Sequence, residues 1–291
     1  MSEYQRHVFD RSGLAALSDF QTQDWRQLFE LLEKDQATFL NKEDQTFSKE
    51  YKWPHDPLFN WSRVWEYPYV FYHLKKWRKG FDKTYLPKAV DFGSGVTFFP
   101  FSIARLGYHV ICVDCDKVCE GDLKKAIKFS PGNQGIVDFR LTDGITLPLE
   151  DCEADVVYSI SVLEHIASFE KTIDEISRII KPDGFLILTI DLDLRGDSEI
   201  SIENYTKLTN KLSRYFNYLY PEKIIHPADI LDSEKGPYPF NKKLKSWRLI
   251  WWQVKRELRQ VISKETSIKH YSPFYLAIQG FVMKKKQISV G

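Results

Sequence analysis

The segment 86–194 alternates short apolar runs rich in β-branched residues with stretches patterned for helices, and that rhythm decides the fold class. Residues 89–92, 110–113, 135–141, 155–160 and 185–190 read as strands. Residues 102–106, 123–129 and 169–180 read as helices; in the last of these Ile173, Ile176 and Ile180 share one face. Pro182-Asp183-Gly184 reads as a turn. Strands separated by helices join through right-handed crossovers into a parallel sheet. All strand C-termini then lie on one edge, where ligands bind. The expectation is an α/β domain with helices on both faces.

The flanks read differently. Residues 1–85 form a helical, aromatic-rich cap. Asp24 opens a helix with Trp25, Leu28, Leu32 and Phe39 at near-helical spacing, 51–61 is a proline-broken aromatic loop, and 65–77 is helical after Pro68. Residues 195–270 read as an insertion: a helix at 202–219, a proline-rich loop at 221–239 and a basic helix at 242–264. Residues 271–291 hold a closing strand at 274–283. In the basic segment Leu244, Trp247, Trp251, Val254, Leu258 and Val261 recur at spacings of three and four, one stripe of a helix. Two readings of that stripe stay open. It packs on the α/β domain, or it meets a membrane surface or an anionic acceptor, as Trp251-Trp252 and the surrounding lysines and arginines favour.

Within 86–194, Asp91-Phe92-Gly93-Ser94-Gly95 follows a strand and precedes a helix. Its two glycines permit a sharp turn and a close approach of backbone to ligand. Asp114 ends the next strand about 20 residues on, where a carboxylate can accept bonds from ribose hydroxyls. Asp143-Gly144 follows the third strand. There a carboxylate can accept from an adenine amino group, although Asp-Gly is also an ordinary turn. A dinucleotide fingerprint is incomplete, because Phe98 stands where its third glycine would be.

These segments together resemble the class I S-adenosylmethionine methyltransferases, particularly the small-molecule type. Asp91-Phe-Gly-Ser-Gly is similar to their first motif, Val113-Asp114 to the second, and Thr142-Asp143-Gly144 to the adenine-contacting one. Residues 155–166 resemble their fourth strand and its turn, and 179–187 the helix–turn–strand that ends the shared core. Thr97 replaces the usual third glycine, and Asp183-Gly184 replaces the usual Gly-Gly. The resemblance implies a Rossmann-like seven-stranded sheet with an antiparallel last strand, and S-adenosylmethionine as cofactor. It implies that Asp91, Gly93 and Gly95 surround the methionine part, with Phe92 and Ser94 in the same turn. Asp114, with Cys115 beside it, would hold the ribose, Asp143 and Gly144 the adenine, and Ser159 and Ser161 would lie beneath the methionine.

Methyl transfer needs an aligned acceptor, exclusion of water and, for a hydroxyl or amine, a base. His165, after the fourth strand, is the candidate base; His226 and His270 have nothing local to single them out. Asp191 and Asp193 end the fifth strand two apart, on one side, suited to orienting an acceptor or holding a divalent cation. Trp53, Trp61, Trp65, Tyr67 and Tyr69 offer either a cap over the pocket or a core of their own. The aromatic cap and a net charge of +1 favour O-methylation of a small or carbohydrate-like acceptor, with N-methylation and a non-catalytic cofactor-binding protein as alternatives. Nucleic acid is not an expected partner at that charge. Cys112, Cys115, Cys119 and Cys152 lack the paired spacing of a zinc site, so no metal is expected. Met1 to Asp10 lacks a secretory pattern, and no apolar run spans a bilayer, so a cytoplasmic location is expected.

Overall fold

The computed structural model describes residues 7–41, 47–51, 53–54, 57–129, 135–166, 168–194, 200–239 and 275–287. The basic segment 242–264 and His270 lie outside the described residues. In chain order the elements are β1 (Ser12–Leu14), α1 (Gln23–Leu40), α2 (Arg63–Arg78), β2 (Lys88–Phe92), α3 (Phe99–Arg105), β3 (His109–Asp114), α4 (Lys117–Phe129), β4 (Ile136–Leu141), β5 (Ala154–Ile160), α5 (Phe169–Ile179), β6 (Ile180–Asp193), α6 (Ile202–Tyr215), β7 (Phe216–Tyr218), β8 (Glu222–Lys223) and β9 (Leu276–Lys285).

The strands form one sheet in the order β4-β3-β2-β5-β6-β9-β1-β8, with β7 also on β9. From β4 to β6 all neighbours are parallel. β9 runs antiparallel to β6, from Phe185 opposite Lys284 to Asp193 opposite Leu276. The seven expected strands are therefore present with the expected antiparallel closing strand, and β1 and β8 add two short ones. Buried residues of α1 to α4 pack over one face with Val110, Cys112 and Tyr158. Those of α5 and α6 pack over the other with Val90, Ile111, Val113 and Val157. Alternate residues of each strand thus feed opposite layers.

Local boundaries differ from the sequence pattern where tertiary pairing overrides it. The helix expected over 202–219 stops at Tyr215, because Phe216 is buried and its strand pairs with Lys285 to Met283 of β9. α2 starts before Pro68 and runs through it. The proline ring removes the amide that would bond to the Val64 carbonyl, and the Trp25 indole donates to that carbonyl instead, at 3.0 Å. Asp183 takes φ 63°, the left-handed conformation that the more usual glycine would adopt in its turn.

The cap aromatics pack their own core. Trp65 and Tyr69 are fully buried and stacked 4.5 Å apart, and Phe9 meets both edge-on. Trp61 and Tyr67 are buried too, and Trp53 is exposed. Of the two readings of these aromatics, a core of their own describes Trp61, Trp65, Tyr67 and Tyr69. The Tyr69 ring lies against β9 at Gly280, where an added Cβ would sit 2.9 Å from it. Buried Asp19 pairs with buried Arg11 and accepts from the Trp65 indole at 2.7 Å. Asp19→Ala strips the charge partner from a buried guanidinium, which typically costs about 3–5 kcal/mol. Urea unfolding of the variant should show a loss of that size; a loss below about 1 kcal/mol would mean that the Arg11–Asp19 pair holds nothing together.

Candidate active site

The glycine turn after β2 sits at the C-terminal edge of the sheet. Gly93 and Gly95 have φ 74° and 54°, both left-handed. A Cβ on Gly93 would lie 2.4 Å from Val162 Cγ2, so the turn after β2 touches the turn after β5 with no room for a side chain. Four consecutive amides are engaged. Gly93 and Ser94 donate to the Val113 carbonyl at 2.8 and 3.3 Å, Gly95 donates to Asp114 Oδ2 at 2.9 Å, and Val96 donates to the Tyr51 hydroxyl at 2.9 Å. Thr97, at the usual third glycine, accepts from the Phe99 amide at 3.3 Å.

That bonding pattern discriminates between cofactors. A pyrophosphate needs free amides at a helix start. Here the amides are spent, and carboxylates stand around the turn. Burial pushes the Asp91 carboxyl up to about 8, the nearby Asp114 charge adds to the rise, and the Tyr158 hydroxyl offsets part of it. A cationic ligand suits such a surface, and S-adenosylmethionine carries an ammonium and a sulfonium.

The other expected cofactor residues fall along the same edge. Phe92 and Ser94 are buried in the turn, and Ser159 Oγ donates to the Phe92 carbonyl at 3.0 Å, beneath it. Asp114 also accepts the Asp116 amide at 3.0 Å, and a carboxylate has lone pairs left for further donors. Cys115 is exposed and faces Gly144, whose added Cβ would lie 3.8 Å from Cys115 Cβ. The loops after β3 and β4 therefore border one slot. Asp143 Oδ1 closes its own turn, accepting from Ile145 and Thr146 at 2.8 and 2.7 Å, and those amides lower its carboxyl's pKa.

Ser161 is placed differently from its implied role. Its backbone is left-handed, φ 49°, and its hydroxyl reaches away from the glycine turn to the cap. It donates to Glu66 Oε1 at 2.7 Å and accepts from Arg63 at 2.7 Å, while Arg63 also pairs with Glu66. Asp191 Oδ1 lies 3.5 Å from the same hydroxyl. Asp193 is buried one pleat further along β6, and its amide donates to the Ile200 carbonyl. His165 is exposed at the end of a short 3-10 turn, Leu163–His165. Its neighbour Glu164 turns inward: Oε1 accepts the Asp191 amide at 3.0 Å, and Oε2 is buried with no partner among the described residues. Burial, reinforced by the charges of Asp191 and Glu66, pushes the Glu164 carboxyl well above the usual range.

Arg63, Glu66 and Glu164 escaped the sequence reading. Arg63, Glu66 and Tyr67 lie three and four apart, on one face of α2. A charged pair inside an otherwise aromatic helix was the available signal. Among the described residues no group of three or more His, Cys, Asp or Glu is placed to hold a metal ion, and no helix is long and apolar enough to cross a membrane.

Residues 90–188 match the family model described as a methyltransferase domain. An uncharacterized methyltransferase of Mycobacteroides abscessus is 30% identical over 122 residues, 40% of this chain and 45% of that protein. One from Mycolicibacterium gilvum is 27% identical over 128 residues, 43% of this chain and 48% of its own. The chain spans about half the length of the curated relatives it matches. Among solved structures, the YcgJ protein of Bacillus subtilis aligns over 75% of this chain and 100% of its own, at 14% identity and a TM-score of 0.49. Residues 90–188 thus match a methyltransferase domain, carried on a Rossmann-like sheet.

Two outcomes follow from the turn. Gly93→Ala must hold φ 74° with a side chain and displace Val162, a strain of about 1–3 kcal/mol. It should lower both the melting temperature and the affinity for S-adenosylhomocysteine, and Val162→Ala in the same chain should restore part of each. No recovery in the double variant would show that the contact is not the cause. For Asp91, the folded value is about 8 against 3.8 for the free group. Its contribution to stability is whole below the free value and is lost as pH rises through the folded one. Urea midpoints of the wild type should therefore fall between about pH 4 and 8, more steeply than those of Asp91→Asn. Parallel curves would mean that Asp91 is ionised throughout.

Proposed function

We propose that this protein transfers the methyl group of S-adenosylmethionine to a hydroxyl oxygen of a small acceptor. The acceptor binds where α2 crosses the C-terminal ends of β5 and β6. The observation that carries this reading is the polar constellation of Arg63, Glu66, Ser161, Glu164 and Asp191, in which Glu66 and Ser161 are buried, contiguous with the glycine turn through Val162.

The cofactor when bound supplies an activated methyl group, so the chain has no need to build a strong electrophile. What the chain's residues supply is position and proton management. Asp91 and the Gly93–Gly95 turn hold the methionine end, and Asp114 holds the ribose through lone pairs that the loop amides leave unused. Cys115 and Gly144 border the adenine. On the acceptor side, carboxylates and the Ser161 hydroxyl accept or donate to a hydroxyl-bearing ligand, and Arg63 balances part of their charge. With Trp61, Trp65, Tyr67 and Tyr69 buried, a compact hydroxylated acceptor suits the polar edge.

Calorimetry with S-adenosylhomocysteine should show one site per chain. Asp114→Ala should weaken it on the order of tenfold or more, the loss of one or two hydrogen bonds to a carboxylate. Incubation with methyl-labelled S-adenosylmethionine and small alcohols, phenols and amines should yield label on oxygen. Label on nitrogen would assign an amine acceptor. Cofactor binding with no labelled product from any acceptor or cell extract would favour a non-catalytic cofactor-binding protein.

A further inference from the structure

We propose that the free Oε2 oxygen of Glu164 docks the acceptor's hydroxyl group and takes its proton as the methyl group is transferred; this rests on the methyltransferase reading above.

The carboxyl is fixed at one end only. Oε1 accepts the Asp191 amide at 3.0 Å, while Oε2 is buried with no hydrogen-bond partner among the described residues. Leaving a buried polar oxygen unpaired is costly, so such an atom marks where a ligand group belongs. Its surroundings are built rather than accidental. Glu66 approaches from α2 and Asp191 from β6, and both charges bear on the Glu164 carboxyl. Arg63 on α2 neutralises Glu66 and, with Ser161, locks the pair in place. The turn that carries Glu164 is fixed against the cofactor loop by the Val162–Gly93 contact.

The chemistry of Oε2 narrows the ligand group. Ionised, it needs a donor; protonated, it needs an acceptor. A hydroxyl satisfies both states, whereas an ammonium satisfies only the first. Burial and the two neighbouring carboxylates raise the carboxyl's proton affinity, which is what a base working near neutral pH requires. The bookkeeping is closed: the new C–O bond forms as the C–S bond breaks, the C–S electron pair stays on sulfur as a neutral thioether, and the hydroxyl proton moves to Glu164 Oε2. The proton then leaves to water. His165, one residue on, is exposed and does not share this enclosure.

The test uses the full chain, Glu164→Gln and Glu164→Asp, with phenol as an uncharged hydroxyl probe and methylammonium as a cationic control. Calorimetry with S-adenosylhomocysteine comes first. No binding to the wild type overturns the methyltransferase reading itself; binding retained in both variants within about threefold shows that they are folded. Difference infrared spectra with S-adenosylhomocysteine bound should then show two protonated-carboxyl carbonyl bands at neutral pH: one lost in Asp91→Asn, the other lost in Glu164→Gln, present in Glu164→Asp and shifted by phenol. No band lost in Glu164→Gln, or a Glu164 band that phenol leaves unmoved, overturns the proposal while leaving cofactor binding intact. A shift with methylammonium alone overturns the hydroxyl assignment. With an acceptor in hand, Glu164→Gln should lower kcat on the order of 10²–10⁴ and abolish its rise with pH, with KM for the cofactor little changed.

Discussion

Helix α2 is buried over most of its surface, and the rest of the structure is arranged around that burial. Val64, Trp65, Glu66, Tyr67, Tyr69, Val70, Phe71, His73, Leu74 and Trp77 are all buried, and only Lys75 and Lys76 in its last turns are exposed. Toward the cap, Trp65 and Tyr69 pack on Phe9 and reach the Arg11–Asp19 pair. Toward the sheet, Trp77 stacks on Phe185 at 4.0 Å, and the Tyr69 ring covers Gly280. Toward the first crossover, Tyr67 stacks on Phe99 at 4.6 Å. A helix so placed cannot leave the domain without exposing several large rings, each contributing about 1.5–3 kcal/mol of burial. The N-terminal segment is therefore integral to the α/β unit, and β1 joins the sheet itself through Gly13 opposite Gly280.

That placement also sets the electrostatics of the ligand edge. Parallel strands deliver Asp91, Asp114, Asp191 and the Glu164 turn to one side of the sheet, and α2 adds Glu66 and one cation, Arg63. The loop amides that would ordinarily offer a positive counterweight are turned inward to Val113, Asp114 and Tyr51. The edge is rich in acceptors and poor in donors. It favours a positively charged ligand.

The legible part of this protein is the part governed by local pattern. Strand–helix alternation over 86–194 and the left-handed glycines at 93 and 95 were readable, because a parallel sheet and a tight turn each impose a residue pattern on the chain that makes them. β1 was not: Ser12-Gly13-Leu14 has no alternation, and it is a strand only because β9 and β8 flank it. The inward turn of Glu164 is illegible for a related reason. Residue type singles out His165, whereas the burial of Glu164 Oε2 depends on which way a three-residue turn faces. Arg63 and Glu66 meet Ser161 across about a hundred positions of sequence, and no local spacing reports such a contact.

Two of the places where the cap touches the C-terminal edge of the sheet are polar. The Tyr51 hydroxyl takes the Val96 amide beside the glycine turn, and Arg63 with Glu66 takes the Ser161 hydroxyl after β5. Apolar packing could hold the cap to the sheet at any of several registers, since it is not directional. Hydrogen bonds to fixed donors and acceptors admit one register, because a slip of an ångström or two leaves buried polar atoms unpaired. The aromatic core of the cap thus supplies the adhesion, and these few polar contacts supply the alignment. A cap of different sequence on the same sheet would keep the glycine turn and change what lies beside Ser161, so the division of labour runs between the strands, which carry the turn, and α2, which shapes the ground next to it.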